Sequence, residues 1–212
     1  MLYWLSQYGD SPLRIFRYLT FRSAGAGSVA FLLVIFLAPM TVRFLKDFAV
    51  GPQRLAGFVP EEELCKIKGK TPAMGGLLII FGIVAATLMW ARLDMMITRL
   101  CLFILVGFGL IGFWDDFRKV RKSSGPLGEK GVSGKIRLGL ELLLGVAAIF
   151  ILYTAPDTRG SAPMFTVPFM KEALLELPMW IAMIYGVFVL WGTGNGVNIS
   201  DGMDGLATGA MI

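Results

Sequence analysis

The chain has 212 residues, 56% of them hydrophobic and 17% charged, with a formal net charge of +5. That composition is too apolar for a soluble domain and points to an all-α polytopic membrane protein whose core faces the bilayer; no nucleic-acid partner is expected. Histidine is absent, and Cys65 and Cys101 have neither metal nor redox spacing, so any proton transfer falls to Asp, Glu, Lys, water or a substrate.

Residues 1–23 hold Arg14, Arg17 and Arg22 among scattered apolar positions, without the compact hydrophobic stretch and small-residue cleavage site of a removable signal peptide. They are read as an extracytoplasmic or interfacial segment ahead of a transmembrane domain over 24–212. Ser11-Pro12 would start a short amphipathic helix through Phe21 on the membrane surface, with a frayed tail as the alternative.

Five apolar runs are then long enough to cross a bilayer, at about 25–45, 74–91, 100–114, 138–153 and 179–193, the shorter ones helped by snorkelling flanks. A sixth opens at Gly205 and is cut at Ile212, so the chain reads as an N-terminal fragment of a longer bundle. Arg54, Lys66, Lys68 and Lys70 lie between the first two runs, and Arg118, Lys119, Arg121, Lys122, Lys130, Lys135 and Arg137 between the third and fourth. The other loops are poorer in Lys and Arg, so the positive-inside rule puts these two in the cytoplasm, although the N-terminal arginines argue the other way. Trp90, Trp114, Trp180 and Trp191 fall near run ends, as an aromatic belt would place them. The loop 153–178, with Pro156, Pro163, Pro168 and Pro178, reads as a connector holding a small hairpin around residues 164–170.

If every run crosses, the ends of the first, third and fifth share one membrane face, and the unusual polar motifs all follow odd-numbered runs. Lys68-Gly-Lys-Thr-Pro72 precedes the second run, Asp115-Asp-Phe-Arg-Lys119 ends the third, and Asn195-Gly-Val-Asn-Ile-Ser-Asp-Gly-Met-Asp204 ends the fifth. Carboxylates at bilayer depth cost roughly 2.5–3.5 kcal/mol each on insertion scales, which implies a water-filled or ligand-filled site. An acidic pair at the negative end of a helix dipole needs a cation or Lys to offset it, and Mg²⁺ takes one or two carboxylates plus substrate phosphates. Lys119, one turn on, could neutralise the pair or meet a phosphate. Gly107-Phe-Gly-Leu-Ile-Gly112 matches a dinucleotide-binding fingerprint but lies in an apolar run with no strand before it, and is read as helix-packing surface instead. Glu141, inside the fourth run, is read as facing other helices or snorkelling, with no assigned role.

Four motifs in this order, Phe16-Arg-Tyr-Leu-Thr-Phe-Arg-Ser-Ala-Gly-Ala26, Lys70-Thr-Pro-Ala-Met-Gly-Gly76, Asp115-Asp-Phe-Arg-Lys119 and Asn195 through Ala207, resemble the phospho-N-acetylmuramoyl-pentapeptide transferase family. The family sits within the polyprenyl-phosphate N-acetylhexosamine-1-phosphate transferases, and its GlcNAc-transferring branch typically has Asp where this chain has Lys119. The resemblance implies a bundle of about ten spans. It implies transfer of phospho-MurNAc-pentapeptide from UDP-MurNAc-pentapeptide to undecaprenyl phosphate, giving lipid I and UMP with Mg²⁺. The setting would be the cytoplasmic face of the bacterial inner membrane, in peptidoglycan synthesis, with membrane lipid as a partner and a homodimer compatible. By motif matching, Asp115, Asp116 and Asp201 fall on catalytic positions. Lys68, Lys119, Lys135, Asn195, Asn198 and Asp204 fall on substrate-binding positions, the last three around uridine and phosphate. Ala73 departs from the usual second Thr of Thr-Pro-Thr, and residues 123–130 run longer than usual. The main Mg²⁺ ligand and a triple-His loop belong past Ile212, which implies that the 212 residues alone are inactive. A sibling transferase using another UDP-sugar remains the first alternative. An ion-coupled transporter is the second, disfavoured because the motifs gather at one face and no internal repeat is evident.

Overall fold

A computed structural model describes residues 2–5, 12–48, 74–122, 132–165 and 175–200. The described chain is mostly helical: α1 (Leu2–Leu5), a 3₁₀ turn (Pro12–Arg17), α2 (Leu19–Phe48), α3 (Gly76–Trp90), α4 (Met96–Lys122), α5 (Gly134–Thr154) and α6 (Met179–Ser200), with a two-stranded ribbon of β1 (Met164–Phe165) and β2 (Leu175–Glu176) before α6. Each of the five apolar runs thus forms a helix. Three helices are long and apolar enough to cross a membrane, over Leu19–Leu45, Met96–Arg118 and Gly134–Thr154, and α3 is a shorter apolar helix of 15 residues. The sixth run, from Gly205, lies outside the described residues.

The chain divides into two compact units, Met1–Val132 and Ser133–Ile212. In the first, α3 packs along α2 and α4 packs on α3. The contact is made where a side chain is missing: a Cβ on Gly82 would lie 2.9 Å from Val34 Cγ2 and 3.2 Å from the Ala30 carbonyl, and one on Gly109 would lie 2.7 Å from Ile80 Cδ1. Small residues let apolar helices approach this closely when no hydrophobic difference between lipid and side chain drives them together. Gly109 therefore has the packing role expected of the Gly107–Gly112 stretch, whereas a Cβ on Gly112 would meet nothing within 4 Å. Pro39 is accommodated within α2, which continues to Phe48.

The N-terminal arginines do not lie on an amphipathic helix running to Phe21. The 3₁₀ turn ends at Arg17, and Leu19–Phe21 already belong to α2. The Phe16 and Phe21 rings gather on Trp90 at centroid distances of 5.6 and 5.9 Å, and Arg22 and Arg92 lie over the Tyr3 ring at 5.1 and 4.5 Å. Between α3 and α4, Arg92 makes a 2.6 Å ion pair with Asp94.

In the second unit α5 and α6 run antiparallel. Gly145 faces Val187, Ile149 covers Gly186, and at the far end the Tyr153 hydroxyl donates to the Leu177 carbonyl at 3.0 Å. The hairpin expected at 164–170 is present but its second strand starts later: Met164 pairs with Glu176 and Phe165 with Leu175. Its first strand is fastened by Phe165, whose ring meets Tyr185 edge-on at 5.6 Å.

Candidate functional site

The third apolar run ends in sequence at Trp114, yet α4 continues to Lys122, so Asp115 and Asp116 sit on a continuous helix rather than in a loop. Asp115 is 6% exposed and accepts a hydrogen bond from the Val132 backbone N–H at 2.9 Å. That bond ties chain 17 residues downstream back to the helix. Asp116 is half-buried. Asp115 is the more enclosed of the two neighbours and is held in place by the backbone.

A small apolar cluster braces this end of α4. Leu45 from α2 and Met74 from the turn before α3 are buried against each other, with Phe117 packed on them, and Phe113 and Phe117 stack at 5.9 Å. Met74 has φ 69°, in the left-handed region where a side chain other than glycine is strained by about 1–2 kcal/mol. Burial of its side chain against Leu45 and Phe117 offsets that strain and fixes how α3 begins. Met74 and Gly75 form a turn that leads into α3 at Gly76, while Thr71 and Pro72 lie outside the described residues.

In the second unit, Lys135 is exposed in the first turn of α5. Two turns later the chain does what sequence reasoning missed. Glu141, 4% exposed, accepts from Arg137 Nε at 2.8 Å and from Asn195 Nδ2 at 2.7 Å. The signal was visible: an ionisable residue within a membrane-length apolar run is a functional candidate by default, and Arg137 four residues earlier lies on the same helix face. Of the residues singled out from the motifs, Asn195 is the one joined to this network. Lys119 and Asn198 lie on α4 and α6, but their side chains are outside the described residues, as are Lys68, Asp201 and Asp204 altogether.

The acidic pair supplies the hard oxygen donors that Mg²⁺ prefers, and that ion commonly completes its octahedron with water and substrate phosphate. Among the described residues no group of three or more His, Cys, Asp or Glu side chains could form a closed metal cage.

A sequence profile described as glycosyl transferase family 4 matches residues 95–212, a stretch that includes α4 with its acidic pair and α6 with Asn195. The chain belongs to glycosyl transferase family 4. It is also 39% identical, over 202 residues, to the phospho-N-acetylmuramoyl-pentapeptide-transferase of Syntrophus aciditrophicus (strain SB). That alignment takes in 95% of this chain and 53% of the relative, so the chain spans about half the length of the curated relative it matches. The resemblance carried by the four motifs is borne out by both comparisons. Membership of a glycosyl transferase family disfavours the transporter alternative.

Proposed function

We propose that this chain is part of a phospho-N-acetylmuramoyl-pentapeptide transferase. That enzyme would move phospho-MurNAc-pentapeptide from its UDP conjugate to undecaprenyl phosphate, producing lipid I and UMP. The observation that carries the reading is the buried, backbone-anchored Asp115 with Asp116 beside it, on a helix long enough to cross a membrane, in a chain 39% identical to a transferase of that name.

The acceptor phosphate, a monoester with a second pKa near 6, is already largely dianionic at neutral pH, so a strong base is not required. One of its oxygens attacks the phosphorus attached to the sugar. The bond from that phosphorus to the bridging oxygen breaks, and UMP leaves with the electron pair. The rate then comes mainly from in-line positioning and from stabilising charge as it shifts to the leaving phosphate. Asp115 would hold its geometry through Val132, while Asp116 would orient the acceptor phosphate or a proton on it. Mg²⁺, when bound, would supply charge neutralisation at the diphosphate, and the acidic pair would add oxygen donors to the main ligand expected past Ile212.

We place five spans across the bacterial inner membrane, with the acidic end of α4 in the cytoplasm. The Lys- and Arg-rich stretch from Arg118 to Arg137 supports that orientation. A homodimer fits this arrangement as well as a monomer does. The test is UMP release by the protein as its gene encodes it in full, supplied with undecaprenyl phosphate, Mg²⁺ and either UDP-MurNAc-pentapeptide or UDP-GlcNAc. Turnover confined to the muramoyl donor supports the reading. Turnover confined to UDP-GlcNAc moves the protein to the sibling branch.

A further inference from the structure

The carboxamide of Asn195 is fixed by two acceptors. Its Nδ2 donates to Glu141 Oε2 at 2.7 Å and to the Trp191 carbonyl, one turn back on α6, at 3.0 Å. Both N–H bonds of the amide are thereby used. Turning the amide over would set its oxygen against a carboxylate and a carbonyl, each able only to accept, so the orientation follows from chemistry and not from a choice between similar atoms. Glu141 is in turn held by Arg137, whose Nε donates to the other carboxylate oxygen at 2.8 Å. A buried carboxylate in an apolar helix is costly without such a partner, and this one has two.

What remains of Asn195 for a ligand is Oδ1, an acceptor with no donor to give. Among the described residues the two hydrogen bonds of this side chain are both donated by Nδ2, and the residue is half-buried. We infer that Glu141, backed by Arg137, is a positioning residue that makes Asn195 an acceptor-only contact for an N–H or O–H group of the sugar nucleotide, and not for its phosphates. The phosphate oxygens of a UDP-sugar are themselves acceptors and would be repelled by Oδ1. Its imide N–H, ribose hydroxyls and sugar hydroxyls are the groups that complement it. The inference rests on the transferase reading above and narrows what family resemblance left open, a position lining both uridine and phosphate.

The test compares wild-type full-length enzyme, Glu141→Ala, Glu141→Gln, Asn195→Ala and the Glu141→Ala/Asn195→Ala double variant, reading KM and kcat for the UDP donor and inhibition by UMP and by inorganic pyrophosphate. A wild-type enzyme inactive with either UDP-sugar would remove the transferase reading itself, a result separate from any variant effect. With an active wild type, Glu141→Ala should raise the donor KM about tenfold, the scale of one hydrogen bond lost to a misplaced partner, with kcat changed less than about threefold. Glu141→Gln keeps an acceptor for Asn195 and should recover most of that loss. The double variant should be no worse than Asn195→Ala, because Glu141 acts through Asn195. Weaker UMP inhibition in Glu141→Ala locates the contacted donor on the nucleoside, and unchanged UMP inhibition with raised KM locates it on the sugar; both support the inference. Additive losses in the double variant, equal damage by Glu141→Gln and Glu141→Ala, or a shift in pyrophosphate inhibition would each overturn it. If Glu141→Ala does not fold, the Glu141→Gln and Asn195→Ala comparison decides by the same KM criterion.

Discussion

Asp115 and Asp116 are adjacent in sequence and unlike in environment, so their variants should separate. Asp116→Asn keeps size and shape, and its expected result is a loss of UMP release of at least about a hundredfold with an unchanged melting temperature. Asp115 has a structural duty as well. Asp115→Ala removes the acceptor of the Val132 N–H and should cost about 1–3 kcal/mol, whereas Asp115→Asn retains an acceptor oxygen and should melt close to wild type. Equal melting of Ala and Asn variants would remove that duty. The Arg92–Asp94 pair offers a pH handle outside the spans. The hydrogen bond from the Arg92 guanidinium holds the Asp94 carboxyl below the usual carboxylate range, against a weaker opposing effect of burial. A depressed folded pKa means the contribution is present above the unfolded carboxylate pKa and is lost as pH falls through the folded one. Protection from hydrogen exchange in residues 91–95, taken relative to the intrinsic exchange rate at each pH, should therefore fall on acidification in wild type, and Asp94→Asn should remove that acid step. The acidic pair stands out in the sequence because carboxylates after an apolar run are improbable without a purpose. Glu141 was seen and set aside, since its meaning depends on Asn195, 54 residues away, and no local pattern encodes which face of α6 meets α5.

At the level of elements, hydrophobicity marked where helices form but not how far they run. The third run was bounded at 100–114 by its apolar residues, while α4 extends over Met96–Lys122, because polar residues such as Lys119 and Arg121 sustain a helix once it leaves the apolar layer. The opposite error occurs at the N-terminus, where Pro12 started a 3₁₀ turn and not the amphipathic helix that its position allowed. Glycine patterns indicated packing without saying which glycines pack. Gly82→Val would drive a branched side chain toward Val34 and the Ala30 backbone carbonyl, and should destabilise the α2–α3 pair by about 1–3 kcal/mol. Gly112→Ala meets open space on a helix and should be neutral or stabilising by up to about 1 kcal/mol. Melting of the two variants in the same detergent checks both expectations, and a destabilising Gly112→Ala would mean that its open face is covered in the working protein.

For the whole molecule, only 6, 6 and 17% of the apolar windows in the three membrane-length helices are buried within the protein, and Phe36, Leu143, Ile184 and Phe188 stand in the open. Such faces are stable against lipid and not against water. Orientation can be tested within α5, whose 21 residues rise about 31 Å, close to the apolar thickness of a bilayer. Ser133 at its N-terminal end and Ser161 beyond its C-terminal end are both exposed. With Cys65 and Cys101 replaced by Ser, Ser161→Cys should react with a membrane-impermeant maleimide in right-side-out vesicles, and Ser133→Cys only in inside-out ones. Reversed labelling would put the N-terminal end of α5, with Lys135 and Arg137, outside the cytoplasm and away from any soluble UDP-sugar. Labelling of both from one side would mean that α5 does not cross at all. The expected pattern instead puts the Arg137–Glu141–Asn195 network within two turns of the cytoplasmic boundary, where a water-soluble donor can reach Asn195 while its partners remain in the dry part of the helix pair.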